Sequence, residues 1–145
     1  MANDEETHGE SHDSAAVGVV GATTTLTRAL SEADLALFAL VMGEADLATD
    51  ARLEAEPSYQ RVAPSALLAA LLTTSAAQHS ERPPLARFIS GQVRIIEPAY
   101  AEETVRASAT VTGIDDATGA LRINARCETE DGRSLAEADF LMQRD

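Results

Sequence analysis

The 145-residue sequence contains no lysine and no tryptophan, and its aromatic side chains are three Phe and two Tyr. With so few aromatic residues, a core built from this chain has to be aliphatic. The one cysteine, Cys127, excludes an internal disulfide. It lies in a strand-like run, which is typical of a small core residue rather than a nucleophile, so redox chemistry is not indicated.

Positive charge is also scarce. All 11 basic residues are arginines and stand against 24 acidic residues, which gives a formal net charge of −13 and a sequence pI near 4.5. A surface of this sign repels phosphate backbones and excludes nucleic-acid binding by counterion release. The sequence has neither an apolar run long enough to cross a bilayer nor the basic and apolar regions of a signal peptide. We therefore expect a cytoplasmic protein that does not enter membranes.

The composition changes at about residue 15. Residues 1–15 carry five acids, no base and little apolar material, so they are predicted to be a disordered acidic tail. His8 and His12 in this tail are interpreted as incidental rather than as a metal pair. Residues 16–145 have the length of a single domain, with no internal repeat and no second domain.

One stretch without a charged side chain, Pro64–Ala77, organises the domain. It consists almost entirely of Ala, Leu, Ser and Thr, and a helix that is apolar or small on all sides is enclosed by other elements. Pro64 suits the first helical position, where no N–H is needed. The pattern predicts a buried central helix whose N-terminus is the place for any chemistry.

A capped helix and a series of alternating runs predict the remaining elements. Ser31 and Asp34 form the pattern of a capping box for an amphipathic helix over Ser31–Met42, which Gly43 ends. Alternation predicts strands over Thr23–Thr27, Leu85–Ile96, Thr104–Thr112 and Leu121–Thr129, with a last strand marked by Ala136 to Met142. Consecutive hairpins make the sheet antiparallel. The predicted fold class is α+β, a single domain in which a curled antiparallel sheet of about five strands wraps round a long buried central helix.

Five segments occur in the order and spacing of a known protein family. Leu26–Ala39 is similar to the family's opening strand and helix, and Val41–Glu44 is similar to its Ser-Gly-Asp motif. Arg61–Leu68 lies where the family has Ala-His-Gly at the start of the central helix. Val93–Ala99 is similar to the strand end Arg-Phe-x-x-Pro-Val, and Glu128–Leu135 is similar to the hairpin Asn-Gln-x-Gly-x-x-Val. On these segments the chain resembles the MaoC-like, (R)-specific enoyl-CoA hydratases of the hotdog fold, from about residue 23 to 142. The resemblance implies a hotdog domain.

The chemistry implied by this resemblance is reversible addition of water across the double bond of an acyl thioester. In the family an Asp and a His activate water, while backbone N–H groups at the start of the central helix polarise the thioester carbonyl. The expected substrate is an acyl-CoA or acyl-carrier thioester, handled without a cofactor. This sequence departs from the motif at each catalytic position: Glu44 replaces the Asp, Asp46 the Asn, Leu47 the Pro, Thr49 the His, and Pro64 a second His.

Glu44 is the candidate general base, because hotdog thioesterases use a lone acidic residue in this way. The alternative is a solvated loop acid that simply follows the end of a helix. Ser65 offers its hydroxyl to a thioester oxygen and, together with Ala66, backbone N–H groups. The other candidates for substrate contact are Asp46, Thr49, Tyr59 and Arg61, with Arg61 suited to a CoA phosphate.

Metal binding and a histidine base are both disfavoured. Glu44, Asp46 and Asp50 are carboxylates without a neighbouring His or Cys, which makes a poor transition-metal site, so no metal is assigned. His79 is the one histidine beyond the tail, and a helix rising 1.5 Å per residue puts about 20 Å between it and Pro64. It is interpreted as a solvated residue that stabilises the C-terminal end of the helix dipole.

Three functions remain open. The first is an acyl-thioester hydratase or dehydratase with altered catalysis, or a thioesterase that uses Glu44. The second is a catalytically inactive hotdog subunit that binds acyl chains or pairs with an active partner supplying Asp and His. The third is a small-ligand binding module that kept only the scaffold. Because edge strands of such a sheet are unpaired in a monomer, we expect a homodimer or higher oligomer.

Overall fold

The elements of the chain follow the predicted order. In residues 17–43 and 62–144, which the computed structural model describes, the chain forms two α-helices and five β-strands. They are β1 (Thr23–Ala29), α1 (Glu32–Val41), α2 (Ser65–Ala77), β2 (Phe88–Ile95), β3 (Thr104–Ile114), β4 (Leu121–Thr129) and β5 (Ser134–Met142), with a short 3₁₀ helix over Pro83–Leu85. The predicted α+β fold, with five strands and a helix against the sheet, is confirmed. Neither described α-helix has the length and apolar character needed to cross a bilayer.

The five strands form one antiparallel sheet in the order β1-β3-β4-β5-β2. β3, β4 and β5 are joined by hairpins as predicted, but β2 pairs with β5 and not with β3. The expectation of consecutive hairpins is therefore wrong at the β2–β3 connection, because β1 and β4 occupy the two sides of β3. As a result β1 and β2, the first two strands in sequence, are the edges of the sheet.

The predicted turn residues form the two hairpin turns. Asp115 accepts hydrogen bonds from the Thr118 hydroxyl at 2.8 Å and from the Thr118 N–H at 3.0 Å, and these bonds lower the pKa of its carboxyl group. Gly132 has a φ of 91°, a conformation that glycine adopts without strain, and it turns the chain from β4 into β5. The turns thereby set the register in which β3, β4 and β5 pair.

Helix α2 packs through one side against the inner face of the sheet. Its buried residues are Leu68, Leu71, Leu72, Ser75, Ala76 and Ala77. The strands contribute several alanines to the core that these residues join, namely Ala107, Ala109, Ala125, Ala136 and Ala138. Small side chains let the helix lie close to the sheet, so the prediction of a central helix packed on the sheet is confirmed.

Two details of the predicted central helix are wrong. The helix is not enclosed on all sides, because the sheet covers a single side of it; four residues are exposed, namely Ser65, Ala66, Ala70 and Thr74. Pro64, expected at the first helical position, is instead the N-cap, and helical geometry begins at the next residue.

Helix α1 has the predicted capping box. The Asp34 N–H donates to Ser31 Oγ at 3.0 Å, and the Ser31 N–H donates to Asp34 Oδ2 at 3.3 Å. Leu35 and Ala39 are buried, whereas Met42 at the C-cap is 50% exposed. The packed face of α1 is therefore narrower than the helical spacing of its apolar residues indicates.

His79 is buried, and its interpretation as a solvated residue is wrong. The side chain is 4% exposed, because residues 17–22 fold back over the end of α2. Its Nδ1 accepts a hydrogen bond from the Gly18 N–H at 2.9 Å, and its Nε2 lies 2.9 Å from the carbonyl oxygen of Ala109. A carbonyl only accepts, so the proton of the neutral ring is on Nε2. His79 thus joins the N-terminal turn, α2 and β3.

Cys127 is a core residue, as predicted. It is fully buried in β4. Burial, with a smaller contribution from the charge of Glu128, raises the pKa of its thiol to about 11. A thiol that stays protonated and inaccessible is not a nucleophile at neutral pH.

Candidate functional site

No described residue covers the N-terminus of α2. Pro64 caps it with extended backbone and makes no side-chain hydrogen bond to it, and the Leu67 N–H donates back to the Pro64 carbonyl at 2.9 Å. Among the described residues, the N–H groups of Ser65 and Ala66 have no acceptor, and both residues are exposed. Free N–H groups at the positive end of a helix dipole favour a carbonyl or carboxylate oxygen that carries negative charge.

The start of α2 is held beside the segment that follows β2. The Ala63 N–H donates to the carbonyl oxygen of Ala99 at 2.8 Å, and Val62 forms a single β-bridge with Tyr100. Ala63 and Ala99 are buried, and their small side chains permit this close approach. The predicted thioester-binding residues, Ser65 and Ala66, therefore follow directly on an anchored segment, which limits how far their N–H groups can move.

Arg133, from the β4–β5 turn, fixes the segment that follows β2. Its Nη2 lies 2.6 Å from Glu103 Oε2, and its Nη1 lies 3.2 Å from Glu97 Oε1 and 2.9 Å from the carbonyl oxygen of Pro98. The hydrogen bond to Glu103, and to a lesser extent that to Glu97, raises the pKa of Arg133. Because both glutamates are held in ion pairs, neither is a free base near the helix.

Sequence reasoning missed this ion-pair network. Arg133 and Glu103 are 30 residues apart, and no short motif joins them. They meet only because β5 returns beside β2 while β3 starts at the same end of the sheet. The available signal was weak: an arginine in a hairpin turn and two acidic residues between strands.

The inner face of β2 is apolar and uncovered. Gly91, Val93 and Ile95 lie opposite three inward-facing residues of β5. Val93 is 37% exposed and Ile95 is 40% exposed, whereas Ala109 and Val111 of β3 and Ala125 of β4 are fully buried. Helix α2 therefore covers the centre of the sheet and stops short of β2. We call the strip formed by Gly91, Val93 and Ile95 the β2 trough; its Ile95 end is the end near the start of α2.

A second apolar surface lies on the other side of α2, towards β1. It is a cavity of about 320 Å³ between α1 and α2, with apolar walls from Leu30, Leu37, Phe38, Val41, Leu67 and Leu71, and it also contacts Arg28 and Asp34. A larger cavity of about 520 Å³ lies on the outer face of the sheet, lined by side chains such as Gln92, Thr112, Arg122 and Asp139. That cavity is separated from the start of α2 by the sheet, so it takes no part in the candidate site.

Of the predicted site residues, the described part of the chain contains Ser65 and Ala66. Both are exposed at the start of α2, and among the described residues their N–H groups have no acceptor; their part in binding a thioester stays a prediction. The remaining candidates lie outside the described residues, so their roles stay predictions: Glu44, Asp46, Thr49, Asp50, Tyr59 and Arg61. In the described ranges no three His, Cys, Asp or Glu side chains are grouped so as to hold a metal ion.

No protein-family model and no curated protein matches the sequence, but solved structures do. R-hydratase PhaJ1 from Pseudomonas aeruginosa, in its unliganded form, matches with a TM-score of 0.72 at 22% identity, over 88% of this chain and 83% of that chain. The ChsH1-ChsH2 complex from Mycobacterium tuberculosis matches with a TM-score of 0.72 at 21% identity, over 88% and 98% of the two chains. A MaoC-like dehydratase from Rhodospirillum rubrum matches with a TM-score of 0.64 at 10% identity, over 87% and 92%.

These similarities identify the fold. The chain has the hotdog fold, and its structural neighbours include MaoC-like and (R)-hydratase proteins, as the resemblance of its sequence segments implied. One of those neighbours is a complex of ChsH1 with ChsH2.

Proposed function

We propose that this protein binds acyl thioesters as a hydratase or dehydratase of the MaoC-like type with altered catalytic residues. The observation that carries the proposal is the position of the open N-terminus of α2 at one end of the apolar β2 trough. The thioester carbonyl is bound by the N–H groups of Ser65 and Ala66, and the acyl chain lies over Ile95 and Val93. A polar anchor at the end of an apolar channel is what an acyl thioester requires.

The proposed mechanism uses the helix to stabilise developing charge. When water adds to the double bond of an unsaturated acyl thioester, negative charge accumulates on the thioester oxygen. Preorganised N–H donors at that oxygen are worth about 10²–10³ in rate each, judged from other oxyanion sites. Because α2 is anchored through Ala63 and Ala99, its donors need no reorganisation at the moment of reaction.

Glu44 is the proposed base that activates water. Within residues 62–144 the one histidine is His79, which is buried at the opposite end of α2 and bonded through both ring nitrogens. The two glutamates near the start of α2, Glu97 and Glu103, are paired with Arg133. A carboxylate from outside the described residues, or from a partner, is therefore needed for proton transfer.

The test is an assay of crotonyl-CoA hydration, in which turnover is measured as the loss of absorbance of the conjugated thioester. Glu44→Ala is expected to abolish turnover, whereas Asp116→Ala, which removes an exposed acid from the β3–β4 turn, is expected to leave it unchanged. Release of free CoA, detected with a thiol reagent, identifies a thioesterase instead. Turnover that survives Glu44→Ala removes this residue from the mechanism.

The second candidate function is that of an inactive subunit paired with an active one. It is favoured by the same shortage of a free base and by the likeness to ChsH1-ChsH2, which is a complex. In this case the purified chain binds acyl-CoA, measured by calorimetry, without hydration or hydrolysis. Turnover that appears only on mixing with a hotdog protein carrying an Asp/His motif supports this function over the first.

We further propose that a second subunit, identical or not, adds to the edge of β2. Among the described residues β2 has no strand on its outer edge, and an eight-residue edge strand with an apolar inner face is a strong site for strand addition. Light scattering is expected to give the homodimer a mass twice the 15.3 kDa of one chain. Ile95→Glu is expected to weaken the pairing, while Thr25→Glu on the opposite edge strand is not; a monomer at micromolar concentration contradicts the proposal.

A further inference from the structure

The β2 trough is closed at one end by an aromatic side chain. Phe140 of β5 lies directly opposite Gly91 of β2, and its ring lies over that glycine on the inner face of the sheet. A Cβ atom placed on Gly91 would be 2.7 Å from Cδ1 of Phe140. The ring also meets Phe88 edge to face, with 5.1 Å between the ring centroids and 60° between the ring planes. The inner face of β2 is therefore filled at the level of Gly91.

The ring of Phe140 is buried although the strand it crosses is not. Ile95 and Val93 of β2 are 40% and 37% exposed and Gly91 is exposed as well, whereas Phe140 is 7% exposed because it is packed into the core cluster with Phe88 against it. The open part of the trough runs from Ile95 to Gly91, which is four residues, or about 13 Å at 3.3 Å per residue. An extended apolar group that starts near the helix N-terminus meets the ring after that distance.

Further space lies beyond the ring. A cavity of about 460 Å³ adjoins the second half of α2 and is lined by residues that include Thr73, Thr74, Ala77, Ala86 and Phe88. Phe88 is part of its wall and also touches Phe140. The two rings therefore stand between the open trough and this cavity.

We infer that Phe140, supported by Phe88, sets the maximum length of the acyl chain that this protein accepts. The inference rests on the proposed function and adds a specificity-determining residue to it. Short acyl groups fit between the start of α2 and the ring. Longer ones have to displace a packed aromatic side chain, and removing that side chain lengthens the trough as far as Phe88, the wall of the cavity behind it.

Gly91 is required for this position of the Phe140 ring. A larger residue at this position would collide with the ring, so the glycine is what lets Phe140 lie across β2. An aromatic ring that covers an edge glycine also has a purely structural benefit, since it shields the strand. The structural role and the specificity role are separable, because only the second changes how affinity depends on acyl length.

The experiment compares the binding of butyryl-, octanoyl-, dodecanoyl- and hexadecanoyl-CoA to the wild type and to Phe140→Ala by isothermal titration calorimetry. In the wild type, affinity is expected to stop rising, or to fall, beyond a medium chain. In Phe140→Ala, the affinity for dodecanoyl-CoA relative to butyryl-CoA is expected to increase about tenfold or more, the usual range for a change in an apolar specificity pocket. The matched control is Leu141→Ala, the adjacent residue on the outer face of β5, which leaves the length profile unchanged.

Two further variants serve as controls in case Phe140→Ala does not fold. Phe140→Leu keeps most of the apolar volume, and Phe88→Ala removes the supporting ring from a partly exposed position; each is expected to shift the profile in the same direction, by less. If affinity depends on acyl-chain length in the same way in all three variants as in the wild type, the inference is wrong and the proposed function is unaffected. Failure of every acyl-CoA to bind the folded wild type overturns the proposed function itself.

Discussion

Replacing His79 with alanine is expected to destabilise the fold by about 2–6 kcal/mol. The ring is 4% exposed and makes two hydrogen bonds of 2.9 Å, one from the Gly18 N–H and one to the Ala109 carbonyl. Its removal leaves the part-buried Gly18 N–H without a protein partner and the Ala109 carbonyl with the longer 3.5 Å hydrogen bond from Thr24 Oγ1. Each lost bond costs about 1–3 kcal/mol, least where water reaches the freed group, and the cavity that remains contributes to the same total. Typical domains are stable by about 5–15 kcal/mol, so this loss is a large fraction of the total.

Matched variants separate the ring's bonds from its volume. His79→Gln keeps an N–H donor within reach of the Ala109 carbonyl, so it is expected to lose about half as much stability as His79→Ala. Thr24→Val removes a hydroxyl bonded to the Ser75 carbonyl at 2.6 Å that also lies 3.4 Å from His79 Nε2, so it measures the rest of the same buried cluster, and the double variant with His79→Ala gives the coupling between the two side chains. The measurement is urea unfolding, read as a shift of the midpoint at constant slope. Hydrogen exchange of the Gly18 amide reports the local release of residues 17–22.

A small effect contradicts this reasoning. If His79→Ala loses less than about 0.5 kcal/mol, it behaves as an ordinary surface substitution, and the buried bonds contribute nothing measurable. Equal losses for the alanine and glutamine variants assign the effect to packing and not to the Nε2 hydrogen bond. An unchanged exchange rate at Gly18 removes the link between His79 and the N-terminal turn.

Two other residues carry further predictions. Glu102 has a φ of 72°, which is strained by about 1–2 kcal/mol in a residue other than glycine, and its carboxylate accepts a hydrogen bond from the Glu32 N–H at the start of α1. Glu102→Gly is therefore expected to be more stable than Glu102→Ala in thermal unfolding, because both lose the carboxylate and only glycine relieves the strain; the reverse order contradicts this. Because the pKa of Cys127 is raised from 9.0 to about 11, the unfolded thiol ionises first, so the free energy of unfolding is expected to fall as pH rises from about 9 to 11. Alkylation of Cys127 should follow the global unfolding rate, and fast labelling of the native protein at neutral pH is the result that refutes burial.

Local signals in the sequence predicted the elements of this fold well. The Ser31–Asp34 capping box appears where the pattern indicated, and the alternation over Leu121–Thr129 gives the bounds of β4. A capping box and a strand pattern are properties of neighbouring residues, so they need no knowledge of the tertiary structure. The position of Ser65 and Ala66 at the start of α2 was likewise predictable, because they follow a proline and begin an uncharged segment.

Properties that depend on distant residues were not predictable in this way. β2 pairs with β5 because β1 and β4 occupy the two sides of β3. The alternation of residues within β2 does not indicate which strand it pairs with. The burial of His79 depends on residues 17–22 folding over the end of α2, some 60 residues away in sequence. The alternation of Val93 and Ile95 indicates an inward face, but not that the central helix stops short of it.

If both proposals hold, the uncovered trough links ligand binding to subunit pairing. In that case a subunit whose strand adds to the edge of β2 borders the trough beside Val93 and Ile95, and the acyl chain lies between that subunit and helix α2. Any ligand bound only in the closed trough therefore stabilises the pair, by about 2.7 kcal/mol at a concentration 100 times its dissociation constant. By reciprocity, pairing strengthens ligand binding by the same factor. On the proposed function, the exposed apolar face of β2 is thus the feature through which partner binding and ligand binding are coupled.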